Sequence, residues 1–196
     1  MAKNQVEKRA PDGLKDYLAL VVTTCGVGYL PLAPGTYGSL LAVGFYAFLA
    51  NAFGSFRYSP ALESPEFLVA AIHAVILLAL LLYSLLGIWS ANRSIELLGN
   101  TDAPQAVVDE VIGQLIVFLF IPFTTSWVLI GAAFILFRLF DIWKPYPIDY
   151  LQHLPGGIGV CADDILAGVY AGVCLSIIHA VSCIYEDPCS PWRRTG

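Results

Sequence analysis

Charged residues are scarce in this chain: aspartate, glutamate, lysine and arginine make up 13% of its 196 residues. Soluble domains carry about 25% charged residues, so the composition argues against a soluble globular enzyme. The net charge of −5 gives no attraction to phosphate polymers, which excludes a nucleic-acid-binding protein. With 58% hydrophobic residues and a mean hydropathy of +0.72, the chain is predicted to be an integral membrane protein.

The chain also lacks the features of several other fold classes. Its five cysteines include no Cys-x-x-Cys pair, so neither a zinc site nor a disulfide framework is indicated. The alternation of apolar and polar residues that is typical of strands is absent, and we therefore predict an all-α fold. The polar start contains no apolar signal-peptide core. We divide the chain into a polar cytoplasmic segment (1–17), one helical membrane-embedded catalytic domain (18–185) and a polar tail (186–196).

What the chain does contain is apolar runs long enough to enter a membrane, where about 20 residues suffice to cross. The clearest are Phe67–Trp89, which has no charged residue, and Ile165–Ile184. Tyr37–Phe53 is shorter, and a proline-containing break separates two further helices, about Val107–Ile121 and Ser126–Trp143. We predict a polytopic protein with four to five membrane-embedded helices and an active site at the membrane interface. Basic residues concentrate near the start, which places the N-terminus in the cytoplasm.

The acidic residues stand at the ends of these predicted helices. Asp109 and Glu110 lie at the head of the hairpin, Asp141 at its foot, and Asp163 and Asp164 at the head of the last span. Any single pair has a simple structural explanation, since carboxylates near helix N-termini stabilise the helix dipole. That explanation does not account for five carboxylates converging from three segments of a chain so poor in charge. Oxygen ligands without histidine suit Mg²⁺ or Mn²⁺.

Glycines follow two of these carboxylates at helical spacing. Asp164, Gly168 and Gly172 share one helix face, and Asp109 and Gly113 repeat the arrangement. Small residues at this spacing let membrane helices approach closely. We therefore expect the two helices to pack together below their carboxylates.

Groups that can bind an anion lie beside the acidic residues. Arg138, Asp141 and Lys144 fall within two helical turns, although Lys144 has the alternative of extending to the lipid head groups. The Pro34–Ser39 stretch is a Gly-rich turn that opens a helix and offers backbone N–H groups to an anion. Carboxylates, cations and an anion cradle together indicate a phosphoryl-group site.

Other phosphatase chemistries are not supported by the sequence. No cysteine is followed by arginine in the Cys-x5-Arg pattern, and the Asp-x-Asp motif of the haloacid dehalogenase type is absent. A histidine-based lipid phosphatase needs a placed histidine nucleophile, and none of His73, His153 and His179 provides one. A metal-and-carboxylate mechanism remains.

Four blocks of the sequence resemble the A-type phosphatidylglycerophosphatase family of bacterial inner membranes. The resemblance runs in the family's order from about Leu18 to Ile178. It implies a Mg²⁺-dependent hydrolase that removes the terminal phosphate of phosphatidylglycerophosphate and gives phosphatidylglycerol. The blocks are Pro34-Gly-Thr-Tyr-Gly-Ser39, Val108-Asp-Glu-Val-Ile-Gly113, Phe137-Arg-Leu-Phe-Asp-Ile-Trp-Lys-Pro-Tyr-Pro-Ile148 and Gly156-Gly-Ile-Gly-Val-Cys-Ala-Asp-Asp-Ile-Leu-Ala-Gly168.

Together, the residues and the resemblance give a predicted role to each polar group. The metal ligands, holding Mg²⁺ or alternatively Mn²⁺, are Asp109, Glu110, Asp163 and Asp164. The catalytic groups are Asp141, Asp163, Asp164 and Lys144. The groups that bind the phosphate of the substrate are Gly35, Thr36, Ser39, Arg138 and Lys144.

The predicted partners are a phospholipid substrate and the bilayer, with no nucleic acid. The predicted location is the bacterial inner membrane, with the active site facing the cytoplasm. One alternative is a small cation transporter or channel with a carboxylate-lined path, although the two clearest spans carry no carboxylate near their middle. Another alternative keeps the phosphatase chemistry but acts on a different lipid or polyprenyl phosphate.

Overall fold

The computed structural model of the protein describes residues 6–57, 65–101 and 103–185, and these contain helices and no strand. The all-α prediction is confirmed. A single 3-10 turn, Phe118–Phe120, follows the fourth α-helix. The α-helices in the described ranges are α1 (Leu14–Thr24), α2 (Pro34–Arg57), α3 (Pro65–Leu98), α4 (Val108–Val117), α5 (Trp127–Trp143), α6 (Ile148–Leu151) and α7 (Gly156–Tyr185).

Two helices in the described residues are long and apolar enough to cross a membrane. They comprise Ala70–Leu98 of α3 and Gly156–Ser182 of α7. Leucines of α3 such as Leu78 and Leu82 remain 57% exposed in the folded chain, as expected for a helix that faces lipid rather than a protein core. These two helices support the prediction of a membrane protein. The number of membrane-embedded helices, four to five, remains a prediction.

Two helices begin or end beyond the predicted limits. α3 continues past Trp89 because its polar residues are compatible with a helix, and it stops before Gly99, which has a φ of 77°. α7 begins at Gly156, so Asp163 and Asp164 lie about two turns inside this helix. The prediction that they stand at a helix head was therefore wrong.

Helix α7 is the central element, and it packs against α3, α4, α5 and α6. Its crossing with α4 is close because glycines face each other there: a Cβ on Gly168 would collide with the backbone of Gly113. On the next turn of α7, a Cβ on Gly172 would collide with the ring of Phe120. The predicted close packing of these two helices is confirmed.

The N-terminal segment fixes the start of α4. The backbone N–H of Val107 donates to the carbonyl of Thr23, at 2.9 Å. In α1, the buried carboxylate of Asp16 accepts hydrogen bonds from Arg9, at 2.6 Å, and from Arg93 of α3, at 2.5 Å. The hydrogen bonds from Arg9, the Asp12 backbone and Arg93 hold the pKa of Asp16 below its usual range. Thus α1 is bonded to α3 by charge and to the start of α4 by its backbone.

Candidate active site

Three carboxylates from two helices converge above the crossing of α4 and α7. Asp109 and Glu110 lie in the first turn of α4, and Asp164 projects from α7. One oxygen from each lies within 4.8 Å of the other two. We call these three residues the carboxylate group. The close approach of Gly113 and Gly168 brings its two halves together.

Two oxygens of this group have no hydrogen-bond partner among the described residues. They are Oδ1 of Asp109 and Oε2 of Glu110, and both are buried. Burial raises the pKa of Asp109, and the negative charges of Glu110 and Asp164 raise it further. Burial is also the main cause of the raised pKa of Glu110. Buried, unpartnered carboxylate oxygens in this number need a compensating positive charge.

The donor atoms of the carboxylate group fit a hard divalent cation. All three groups that could bind a cation are carboxylates, and neither histidine nor cysteine belongs to the group. Mg²⁺ and Mn²⁺ prefer such oxygen ligands, whereas zinc sites use nitrogen and sulfur. The residues present therefore fit the cation that the sequence predicts, with Asp109, Glu110 and Asp164 as its ligands.

Asp163, the neighbour of Asp164, lies outside this group. Its Oδ2 accepts a hydrogen bond from Nζ of Lys144 at 2.5 Å, while its Oδ1 is buried without a hydrogen-bond partner among the described residues. Burial opposes the charged form of Lys144, but the bond to Asp163 and the negative charges of Asp163, Asp164 and Asp141 together outweigh it and raise the Lys144 pKa. Lys144 therefore points to the site rather than to the head groups. The roles predicted for both residues remain predictions.

A second ion pair lies at the end of α5, where Arg138 and Asp141 were predicted to share a face. Nη1 of Arg138 lies 2.6 Å from Oδ2 of Asp141. The same guanidinium lies near the first turn of α2: a Cβ built on Gly35 would be 3.3 Å from Nη1 of Arg138 and would collide with the carboxylate of Glu110. Gly35, Arg138 and Glu110 therefore meet at one point.

The remaining residues of the Pro34–Ser39 stretch form the first turns of α2 itself. Proline is favoured at the first helical position, where its missing N–H group costs nothing. The N–H of Thr36 donates to the carbonyl of Ala33 at 3.0 Å, and the buried hydroxyl of Ser39 donates to the carbonyl of Gly35 at 3.1 Å. Phosphate binding by Gly35, Thr36 and Ser39 remains a prediction, with Gly35 the nearest of them to the carboxylate group.

Gln114 is a buried polar residue of α4 that the sequence analysis missed. It follows Glu110 by one turn of α4 and is fully buried. Neither its amide nitrogen nor its amide oxygen has a hydrogen-bond partner among the described residues. The available signal was an uncharged polar side chain inside an otherwise apolar run, which in a membrane protein marks a functional position.

Comparison with known proteins identifies relatives that share most of the chain. Residues 20–179 match the family model described as phosphatidylglycerophosphatase A. A protein of Bacteroides thetaiotaomicron named "Putative phosphatidylinositol-3-phosphatase" is 35% identical over 167 residues, covering 83% of this chain and 93% of that protein. No solved structure matches the chain.

Two further relatives carry the name phosphatidylglycerophosphatase A. The protein from Escherichia coli is 31% identical over 162 residues, covering 82% of this chain and 83% of its own. The protein from Haemophilus influenzae is 40% identical over 142 residues, covering 67% and 86%. The family match spans the carboxylate group and both ion pairs, from Gly35 to Asp164. The chain therefore belongs to the phosphatidylglycerophosphatase A family of phosphatase hydrolases.

Proposed function

We propose that this membrane phosphatase hydrolyses the terminal phosphomonoester of phosphatidylglycerophosphate and releases phosphatidylglycerol and inorganic phosphate. The observation that supports this most strongly is the carboxylate group of Asp109, Glu110 and Asp164, with Arg138 and Lys144 close by. A site that combines acidic oxygens with two cations suits a phosphoryl group and its metal ion. The relatives named phosphatidylglycerophosphatase A support the choice of lipid.

Asp109, Glu110 and Asp164 would hold the divalent cation, Mg²⁺ in the first place and Mn²⁺ as the alternative. Once bound, the cation would act as a Lewis acid and offset the negative charge of the phosphoryl oxygens. Asp163 keeps its predicted place as a further ligand through Oδ1, the oxygen that Lys144 does not use.

The two cationic side chains would bind the phosphate dianion. Charge-assisted hydrogen bonds from lysine and arginine to phosphate oxygens are short and strong. Asp163 holds Lys144 in place, and Asp141 holds Arg138, so both cations are oriented before the substrate arrives. Asp141 would orient the attacking water.

The proposed setting is the bacterial inner membrane, with the site facing the cytoplasm and the lipid substrate entering from the bilayer. The exposed leucines of α3 support contact with lipid. The basic residues near the N-terminus support a cytoplasmic location for this end of the chain, because lysine and arginine are enriched on the cytoplasmic side of membrane proteins.

A second candidate substrate has support from one observation. The Bacteroides relative carries the name of a phosphatase for phosphatidylinositol 3-phosphate, which shares a lipid-linked phosphomonoester with the first substrate. The cation transporter is not favoured, because the carboxylates gather at one point near the α4 start instead of forming a path.

A substrate panel tests the proposal. Purified protein in mixed micelles with Mg²⁺ would be given phosphatidylglycerophosphate, phosphatidylinositol 3-phosphate, phosphatidic acid and a polyprenyl phosphate, and released phosphate would be measured. We expect the highest kcat/KM with phosphatidylglycerophosphate. A higher value with phosphatidylinositol 3-phosphate would favour the second candidate. Cation flux in liposomes without phosphate release would contradict a phosphatase.

A further inference from the structure

A cavity of about 620 Å³ opens at the corner between α5 and α6. Lys144 forms part of its wall, and the ammonium of Lys144 is bonded to Asp163 at 2.5 Å. Lys144 therefore joins the wall of the cavity to Asp163 at the edge of the candidate active site. None of the residues predicted from the sequence, except Lys144, belongs to its lining.

The lining combines hydroxyl, amide and imidazole groups with aromatic rings. Tyr146, Tyr150, Gln152 and His153 contribute them. Gln152 donates to the side chain of Asp149, and His153 Nδ1 lies 3.1 Å from the Asp149 carbonyl. Groups that both donate and accept hydrogen bonds are suited to the hydroxyls of a polyol.

The cavity also lies where lipid head groups would be found. Trp143, Tyr146 and Tyr150 around it are 70%, 85% and 67% exposed. Tryptophan and tyrosine concentrate at the membrane–water interface, because their rings favour the apolar side and their polar atoms the wet side. A bound lipid would therefore have its head group level with the cavity.

The relatives supply an independent reason to look for such a cavity. Their names include lipids with different head groups, a glycerol in one case and an inositol in the other. The carboxylate group and the two cations can recognise only what these lipids share, which is the phosphomonoester. The part of the protein that distinguishes the head groups must lie next to those residues but outside them.

We infer that this cavity binds the hydroxylated part of the substrate's head group, and that Gln152 and His153 are specificity-determining residues. The inference rests on the proposed lipid phosphatase function. It adds a second part of the substrate, the hydroxyls of the head group, that the protein recognises besides the phosphate. The terminal phosphate lies between Lys144 and Arg138, and the head-group hydroxyls bond to the cavity wall.

The double variant Gln152→Ala/His153→Ala tests this in mixed micelles of phosphatidylglycerophosphate with Mg²⁺. Losing hydrogen bonds to the head group should raise KM about tenfold and leave kcat within about twofold. Inorganic phosphate, which has no head group, should inhibit the variant with an unchanged inhibition constant. The matched control is Thr125→Ala, an exposed position just before the start of α5 and away from the cavity, which should keep both constants.

Each other outcome has a distinct meaning. An unchanged KM in an active, folded double variant would overturn the cavity's role and leave the lipid phosphatase function intact. Equal weakening for the lipid and for inorganic phosphate would also overturn it, because the variant would then disturb the phosphoryl site itself. A wild-type protein that releases no phosphate from any lipid would overturn the proposed function and this inference together.

Discussion

At the residue scale, Asp164 is the member of the carboxylate group that depends most on distant parts of the chain. It comes from α7, whereas Asp109 and Glu110 are neighbours in α4. Its position is set by the contact of Gly113 with Gly168. If the three carboxylates hold a cation, removing the charge of Asp164 must weaken binding without disturbing the helices.

Asp164→Asn keeps the size of the side chain and removes one negative ligand. We expect kcat/KM to fall by about 100-fold or more, which corresponds to about 2.7 kcal/mol, and raised Mg²⁺ to restore part of it. Without added cation, the melting temperature should rise, because one of several mutually repelling buried charges is gone. Phosphate-release kinetics and thermal unfolding in detergent measure these effects.

The control for this variant is Asp12→Asn, which changes an exposed aspartate of the N-terminal segment and should leave kcat/KM unchanged. A folded Asp164→Asn protein with near-wild-type turnover would contradict the metal-ligand assignment.

Gly35 offers a second test of the same site from the side of α2. In Gly35→Ala, the new methyl group would collide with the carboxylate of Glu110, so we expect a loss of kcat/KM of about tenfold or more. Gly44→Ala in the same helix is the matched control, because nothing lies within 4 Å of its added Cβ. Alanine favours a helix by about 0.8–1.0 kcal/mol over glycine, so Gly44→Ala should keep or gain stability. Equal activity in the two variants would contradict the contact.

Sequence spacing predicted the site residues that are paired locally. Arg138 and Asp141 are three apart on one helix, and their ion pair follows from that spacing. The pairs between Lys144 and Asp163, and between Asp16 and Arg93, join residues far apart in the chain. They depend on how helices cross, which single-sequence periodicity does not contain.

At the scale of helices, the crossing of α4 and α7 decides whether the carboxylate group forms. In Gly168→Ala, the methyl group would collide with the backbone of Gly113, and the helices would have to separate. We expect a loss of stability of about 1–3 kcal/mol, seen as earlier thermal unfolding in detergent, together with a loss of activity. In Gly131→Ala, in α5, nothing lies within 4 Å of the added Cβ, so this control should keep its activity and should keep or gain stability. Unchanged unfolding of Gly168→Ala would show that the crossing is looser than described.

The link between α1 and α3 gives a pH-dependent test. Asp16 has a lower pKa in the folded protein than the value of about 3.9 expected when unfolded. Its contribution to stability is therefore fully present above about pH 5 and is lost as the pH falls toward the folded-state pKa. Asp16→Asn should be less stable at pH 7 and should lose less stability than wild type between about pH 5 and pH 3.

Unfolding measured across that pH range, with Asp12→Asn as the control that keeps the wild-type slope, checks the prediction. Parallel wild-type and Asp16→Asn curves would mean that the bonds from Arg9 and Arg93 contribute nothing to folding.

The helix limits show why sequence placed Asp163 and Asp164 wrongly. Gly156, Gly157 and Gly159 suggest a turn, and propensity alone would end a helix there. In the structure this segment is helical and lies against α3, where a Cβ on Gly157 would collide with the carbonyl of Ile88. The glycines serve close helix packing, a tertiary cause that outweighs their local preference.

At the scale of the whole molecule, composition predicted the fold class, since a chain with few charges and many apolar residues must place much of its surface in lipid. The all-α architecture and two apolar helices agree with that. The number of crossings remains a prediction. Composition does not determine it, because α2 packs against α4 and α5, and α4 and α5 pack in turn against α7. The predicted tail, 186–196, lies outside the described residues.

The most direct test of the central claim is Mg²⁺-dependent phosphate release from phosphatidylglycerophosphate by the purified protein in micelles. Release should stop when a chelator removes divalent cations and should return when Mg²⁺ is added. The added cation would restore the positive charge that Asp109, Glu110 and Asp164 need between them. Undiminished release in the presence of the chelator, or no release at any Mg²⁺ concentration, would contradict the account.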